Sequence, residues 1–252
     1  MSELRLNRAT KEWIILAMER AKRPHQFRKK SGKEKLPAYD PSCPFCPGNE
    51  EKTPPEVYAL RGSVSKSNRP GWRIRVVNNK YPALVPEEKI VKITGRFFRI
   101  ASGLGEHEVI IETPRHDLTL ATLSLRQVEE TCSVYWRRYR ALEKDKRFKL
   151  ILIFRNHGPT AGTSLKHPHS QLIALPLIPA NIRHLLEEAM RYYDDHGSCV
   201  FCDMLSEELD AQKRVILEEK RFVAFHPFAS RSPFETWIVP KKHNACFGNI
   251  DR

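Results

Sequence analysis

No stretch of this 252-residue chain approaches the roughly 18 unbroken apolar residues that a membrane-spanning helix needs, so no helical span is expected. The opening residues, MSELRLNRATKEW, lack the apolar core of a secretory signal, which points to a cytoplasmic protein. Acid is in short supply: 30 Asp and Glu stand against 43 Lys and Arg, a formal net charge of +13. Such an excess suits an anionic partner, whether nucleic acid, a membrane surface or a phosphorylated small molecule. The basic residues are spread along the chain, densest at 19–35, and no nucleic-acid-binding motif accompanies them. Neither nucleic acid nor membrane is therefore expected as a partner. With 40% hydrophobic and 29% charged residues, the composition excludes a disordered chain and allows a sizeable core.

Six cysteines in a reducing compartment do not make a disulfide framework, and four of them form two Cys-x-x-Cys pairs, Cys43/Cys46 and Cys199/Cys202. A thioredoxin-like redox motif sits between a strand and a helix. Cys43 and Cys46 lie instead among Pro37, Pro41, Pro44, Pro47 and Gly48, a rigid knuckle that favours metal binding.

Periodicity supplies the elements. Short apolar runs at WIILA, WRIRVVN, HEVIIET, KLILIFRN and HSQLIALP read as strands, KLILIFRN as a buried one. A helix is expected from Ser124, which forms a capping box with Gln127, with Leu125, Val128, Cys132, Tyr135, Trp136, Tyr139 and Leu142 on one face. A second helix spans 180–197 and ends at Gly197. The order then begins again: Cys199/Cys202, a strand RFVAFHPFA resembling RVVNNKYPA, then FETWIVP followed by His243, as HEVIIETP is followed by His116. This weak internal repeat divides the chain at 1–178 and 179–252, and the second unit looks cut short because it stops before any counterpart of the later strands.

The chemistry concentrates at TAGTSLKHPHSQLIALP, residues 160–176. Strand alternation puts His167, His169 and Gln171 on one face, and Pro168 restricts the segment to an edge or to a strand's first residues. Cys43, Cys46, His116 and His167 supply the four Cys and His ligands of a tetrahedral zinc site. With His167 held by metal, His169 is free to act as a nucleophile on phosphorus. Gln171 would donate to the phosphate oxygens, and the Gly162–Ser164 loop would offer backbone N–H groups.

HPHSQ, RNHGPTAGTS, CPFCPGNE, RAKRP and VVNNKYPAL, five separated motifs in order, resemble the galactose-1-phosphate uridylyltransferase family of the histidine-triad superfold. The resemblance implies an α+β fold of two histidine-triad-like units, each an antiparallel sheet with flanking helices, the second truncated. It implies a ping-pong enzyme of galactose metabolism: UDP-glucose loses glucose 1-phosphate to give uridylyl-His169, and galactose 1-phosphate takes the uridylyl group. Gln171 would bond the covalent phosphate, and Ala21, Arg23, Asn78, Asn79, Asn156, Gly162 and Ser164 would contact the nucleotide. Cys43, Cys46, His116 and His167 match the zinc ligands of the first unit. Cys199, Cys202 and His243, with His226 as the alternative to His243, resemble a second zinc site of part of the family, here without a fourth ligand. The family draws its sugar-phosphate contacts from the late second half, often across a homodimer. Two other readings stand beside this one: an adenylyl-specific sister enzyme, such as an ADP-glucose or dinucleoside polyphosphate phosphorylase, and a zinc-stabilised nucleotide binder without catalysis.

Overall fold

The computed structural model describes residues 2–17, 36–86, 92–94, 96–97 and 99–250. Along the chain these form β1 (Ser2–Leu6), β2 (Trp13–Ala17), β3 (Glu56–Arg61), β4 (Trp72–Asn78), β5 (Lys92–Thr94), β6 (Arg99–Ala101) and β7 (Glu106–Ile111). Then follow α1 (Leu125–Leu142), β8 (Leu150–Phe154), β9 (His169–Leu175), α2 (Ala180–His196), α3 (Val200–Ala211), β10 (Val215–Glu218), β11 (Phe222–Phe225) and β12 (Trp237–Pro240). They fall into two compact units, one drawn from Ser31–Ile178 and the other from Met1–Lys30 together with Pro179–Arg252. The β1–β2 hairpin thus groups with the C-terminal segment, whereas the repeat alone had put it with the residues that follow it.

The first unit is built on a five-stranded antiparallel sheet ordered β3-β4-β7-β9-β8, beside the small β5–β6 hairpin. Because successive side chains point to opposite faces, each strand feeds two different cores. On one face Ile74, Val76, Ile110 and Leu172 pack with Val134, Tyr135 and Leu142 of α1. On the other, Val77, Val109 and Ile111 pack with Cys43, Phe45 and Cys46. Each such buried aliphatic side chain contributes about 1.5–3 kcal/mol relative to exposure. One sheet therefore carries a purely structural face and a face that presents the cysteine knuckle.

The capping box forms as expected: Ser124 Oγ accepts from the Gln127 N–H, and Gln127 Oε1 accepts from the Ser124 N–H at 3.0 Å. The expected apolar face is rotated, however. Thr131 and Val134 are buried, whereas Leu125 is 75% exposed and Cys132 is exposed. Polar groups with built-in partners take the inner side: Thr131 Oγ1 donates to the Gln127 carbonyl at 2.8 Å, and Arg138 pairs with buried Glu108. Hydropathy periodicity does not register such satisfied groups. β8 is likewise an edge strand rather than a buried one, with Leu152 and Phe154 each 37% exposed. Pro168 sits immediately before β9, which lies between β7 and β8, so the missing N–H costs no ladder bond.

The second unit holds the β1–β2 hairpin, α2, α3 and a three-stranded meander β10-β11-β12. Its order repeats that of β3-β4-β7, and Leu205, Val223 and Phe225 form its core with Val215, Trp237 and Val239. Arg5 of β1 stacks over the Phe228 ring, 4.6 Å from the centroid, and donates to the Phe228 carbonyl at 3.0 Å. Gly197 ends α2 at φ +70°, the left-handed conformation that glycine adopts without strain. The sequence pattern does not announce α3: Cys199 precedes this helix and Cys202 lies in its first turn.

A buried polar knot fastens the first unit. Glu112 accepts from Arg155 Nε at 3.1 Å, from the Tyr135 hydroxyl at 2.8 Å and from Ser170 Oγ. Burial and this carboxylate push the Tyr135 phenol well above its ordinary pKa, so it remains a donor. Glu112→Ala withdraws the acceptor from three groups at once and is expected to cost about 3–5 kcal/mol in denaturant unfolding, with Glu112→Gln losing less.

Candidate active site and metal centre

The knuckle is a run of tight turns. Cys43 N–H donates to the Asp40 carbonyl, Cys46 N–H to that of Cys43 and Asn49 N–H to that of Cys46. The Asn49 side-chain amide donates to the carbonyls of Cys43 at 2.8 Å and Pro41 at 3.0 Å, and Gly48 takes φ +92°. His116, beyond the end of β7, is tied to the same segment by its N–H donating to the Ala38 carbonyl at 2.9 Å. His167 closes the group from two residues before β9.

The four side chains are buried, and their ligand atoms all lie within 4.8 Å of one another. Cys43 Sγ is 3.8 Å from His167 Nδ1, Cys46 Sγ 3.7 Å from the same nitrogen and 3.6 Å from His116 Nδ1. Ideal zinc–sulfur and zinc–nitrogen bonds at tetrahedral angles put S and N about 3.6 Å apart. The donor set and spacing therefore fit such an ion. Tautomer and charge agree with this. His167 Nε2–H donates to the Thr113 carbonyl at 2.8 Å, leaving Nδ1 with its lone pair toward the cluster. Burial, with Cys46 beside it, pushes the Cys43 thiol up to about 11, and burial pushes the His167 imidazole down to about 4. The Cys43 thiol therefore stays protonated at neutral pH unless a cation displaces its proton.

Beside this cluster lies a cavity of about 610 Å³. Its apolar wall is Pro44, Phe45, Val77 and Val109, with Lys52 and Lys80 also lining it. Of the residues singled out in the sequence, Asn78, Asn79, Ser164, His169 and Gln171 line it. His169 Nδ1–H donates to the His167 carbonyl at 2.8 Å, and its ring meets Phe45 edge-on, centroids 5.3 Å apart. That bond fixes the tautomer: the lone pair is on Nε2, which is what attack on an electrophile requires. Gln171 Oε1 is held by His107 Nε2 at 2.8 Å and by Asn79 Nδ2 at 3.4 Å. His107 was read only as the start of a strand, yet its alternation with Val109 and Ile111 already put it on the site face.

Asn156 and Gly162 lie on the exposed loop between β8 and β9 and do not line the cavity, although Gly162 does take φ +75°. Ala21 and Arg23, with the basic segment around them, lie outside the described residues. In the second unit Cys199, Cys202 and His243 form a three-ligand group, with Cys202 Sγ 3.2 Å from His243 Nδ1. Among the described residues no fourth Cys, His or carboxylate joins it. His226 is engaged elsewhere, its Nδ1–H donating to the Glu235 carbonyl at 2.7 Å.

The family model described as the N-terminal domain of galactose-1-phosphate uridyl transferase matches residues 1–179. An ADP-glucose phosphorylase of Arabidopsis thaliana is 34% identical, over 99% of this chain and 68% of its own length. A galactose-1-phosphate uridylyltransferase of Thermotoga maritima is 32% identical, over 96% of this chain and 68% of its own. The crystal structure of an Arabidopsis thaliana ADP-glucose phosphorylase with bound ADP-glucose superposes at a TM-score of 0.77 and 31% identity, covering 100% of this chain and 72% of that one.

Cys43→Ala removes one of the four ligands and is expected to abolish retention of a tightly bound divalent metal, read by elemental mass spectrometry after gel filtration. The depressed His167 value also has a consequence for the metal-free protein. Between about pH 6.5 and about 4 the unfolded chain binds a proton that the native histidine refuses. Stability should be full above pH 6.5 and fall as the pH drops toward 4, as urea titrations in chelator would record.

Proposed function

The chain belongs to the galactose-1-phosphate uridyl transferase family, and on that premise we propose that it is a nucleotidyltransferase acting through a covalent nucleotidyl-His169 intermediate. The observation that carries this reading is the 2.8 Å bond from His169 Nδ1–H to the His167 carbonyl, which in the neutral ring puts the lone pair on Nε2, beside the cavity.

In the first half-reaction Nε2 attacks the α-phosphorus of a nucleotide sugar. The N–P bond forms, the anhydride P–O bond breaks, and the sugar 1-phosphate departs with its electron pair. In the second, an oxygen of the acceptor phosphate attacks the same phosphorus and His169 is released. Both steps spread negative charge over the non-bridging oxygens, so positioned donors dominate the rate. Gln171 supplies an amide N–H there, while Lys52 and Lys80 add positive potential. Asn78 and Asn79 meet the nucleotide, and Ser164 contributes from the loop preceding β9. Cys43, Cys46, His116 and His167 would hold a zinc ion whose contribution is structural, since four protein ligands leave no open position. The three-ligand group at Cys199, Cys202 and His243 would be a second, less complete zinc site.

The names of the family and of the Thermotoga relative favour uridylyl transfer to galactose 1-phosphate; UDP-glucose as donor, a cytoplasmic location and a homodimer complete this reading. A second reading, adenylyl transfer from ADP-glucose to phosphate, is favoured by the higher identity of the plant relative and by the structure that holds ADP-glucose. Intact-protein mass after mixing with UDP-glucose or ADP-glucose separates them. A uridylyl-sized adduct with UDP-glucose alone supports the first, and an adenylyl-sized adduct with ADP-glucose the second. In either case His169→Ala should lose the adduct and lower turnover by about 10⁴-fold or more, with nucleotide binding retained.

A further inference from the structure

We propose that His107 is a positioning residue that decides which end of the Gln171 amide faces the reacting phosphoryl group, an inference that rests on the nucleotidyl-transfer reading above. A glutamine amide has two ends of nearly equal shape and opposite polarity. Only its NH₂ end can stabilise phosphate oxygens; the carbonyl end would repel them.

The chain of donors that settles this begins in the backbone. Ala83 N–H donates to His107 Nδ1 at 3.0 Å, so that nitrogen carries no proton and the neutral ring is protonated on Nε2. Nε2–H then donates to Gln171 Oε1 at 2.8 Å. Tyr81 N–H fixes the Asn79 amide in the same way, donating to Oδ1 at 2.9 Å and leaving Nδ2 toward the same Gln171 oxygen at 3.4 Å. Two donors converge on Oε1, and a flipped amide would set its NH₂ group against both. Among the described residues the Gln171 NH₂ has no partner of its own, and Gln171 shares the cavity with His169.

Sheet register makes this possible. Gln171 stands opposite Val109 and His107 opposite Ile173, so the two polar side chains are diagonal neighbours on one face. The donor loop is pinned against the sheet where Val85 pairs with Gly103 and Gly105, and Gly105 has no room for a side chain: a Cβ would come within 2.5 Å of the Ala174 carbonyl. His107 is only 9% exposed, which keeps water from replacing its bond.

The test is a cycle on the rate of nucleotidyl-adduct formation, using whichever of UDP-glucose or ADP-glucose labels the wild type. His107→Leu should slow labelling on the order of ten- to a hundredfold, with nucleotide affinity nearly unchanged. His107→Gln, whose amide N–H reaches the place of Nε2–H, should recover most of the rate. In a Gln171→Ala background His107→Leu should have no further effect, because its action passes through that side chain. Equal slowing in both backgrounds, or a His107→Gln variant as slow as His107→Leu, would overturn the inference while leaving His169 as the nucleophile. No wild-type adduct from either donor would overturn the transfer reading itself, and the role of His107 with it. If melting curves show His107→Leu unfolded, His107→Asn, which keeps an acceptor for Ala83 N–H but withdraws the donor, takes its place in the same cycle.

Discussion

Three bonds of one buried residue hold the site together. His167 presents Nδ1 to the cysteine cluster, donates from Nε2 to the Thr113 carbonyl, and accepts at its own carbonyl from His169 Nδ1. Each bond constrains the next. The Thr113 contact sets the tautomer, the tautomer makes Nδ1 a ligand, and the fixed backbone at 167 sets the tautomer two residues on. Loss of the cluster would free the carbonyl that orients the neighbouring histidine. Here a cluster of four candidate metal ligands and the proposed nucleophile are separated by one proline.

The sheet extends the same economy. Alternation sends Ile110, Leu172 and Ser170 toward α1, where packing and the Glu112 knot stabilise the unit. The same alternation sends Val109, Ile111, His169 and Gln171 toward the knuckle and the cavity. The face toward α1 carries only packing and the Glu112 knot, whereas the other carries both a core around the knuckle and the cavity, so the proposed reactive groups rest on an element held from both sides.

Membership of the family sets the frame in which these contacts act, and the chain spans 68% of the length of the plant and Thermotoga relatives. Within that frame the second unit repeats the meander of the first but not its knuckle. Its cysteines open a helix and gather three ligands where the first unit gathers four. A shared strand order thus supports two different ligand geometries, because strand order is set by apolar periodicity while ligand geometry is set by the turns outside the strands.

Much was legible in the residues alone. Strands β2, β4, β7, β8, β9, β11 and β12, the capping box at Ser124, the Gly197 stop, the gathering of Cys43, Cys46, His116 and His167, and the shared face of His169 and Gln171 follow from pattern and spacing, whereas β1, β3, β5, β6 and β10 emerge only in the structure. Local pattern has a local cause: alternation, caps and left-handed glycines act over a few residues. The inward side of α1, the edge position of β8, the helix that opens after Cys199 and the role of His107 were decided only in three dimensions. The inward turn of Arg138 and the role of His107 depend on polar groups meeting partners distant in sequence, and the place of β8 on which strand lies outermost. Hydropathy sees a residue's cost in isolation, and tertiary structure alone reveals whether that cost has been met.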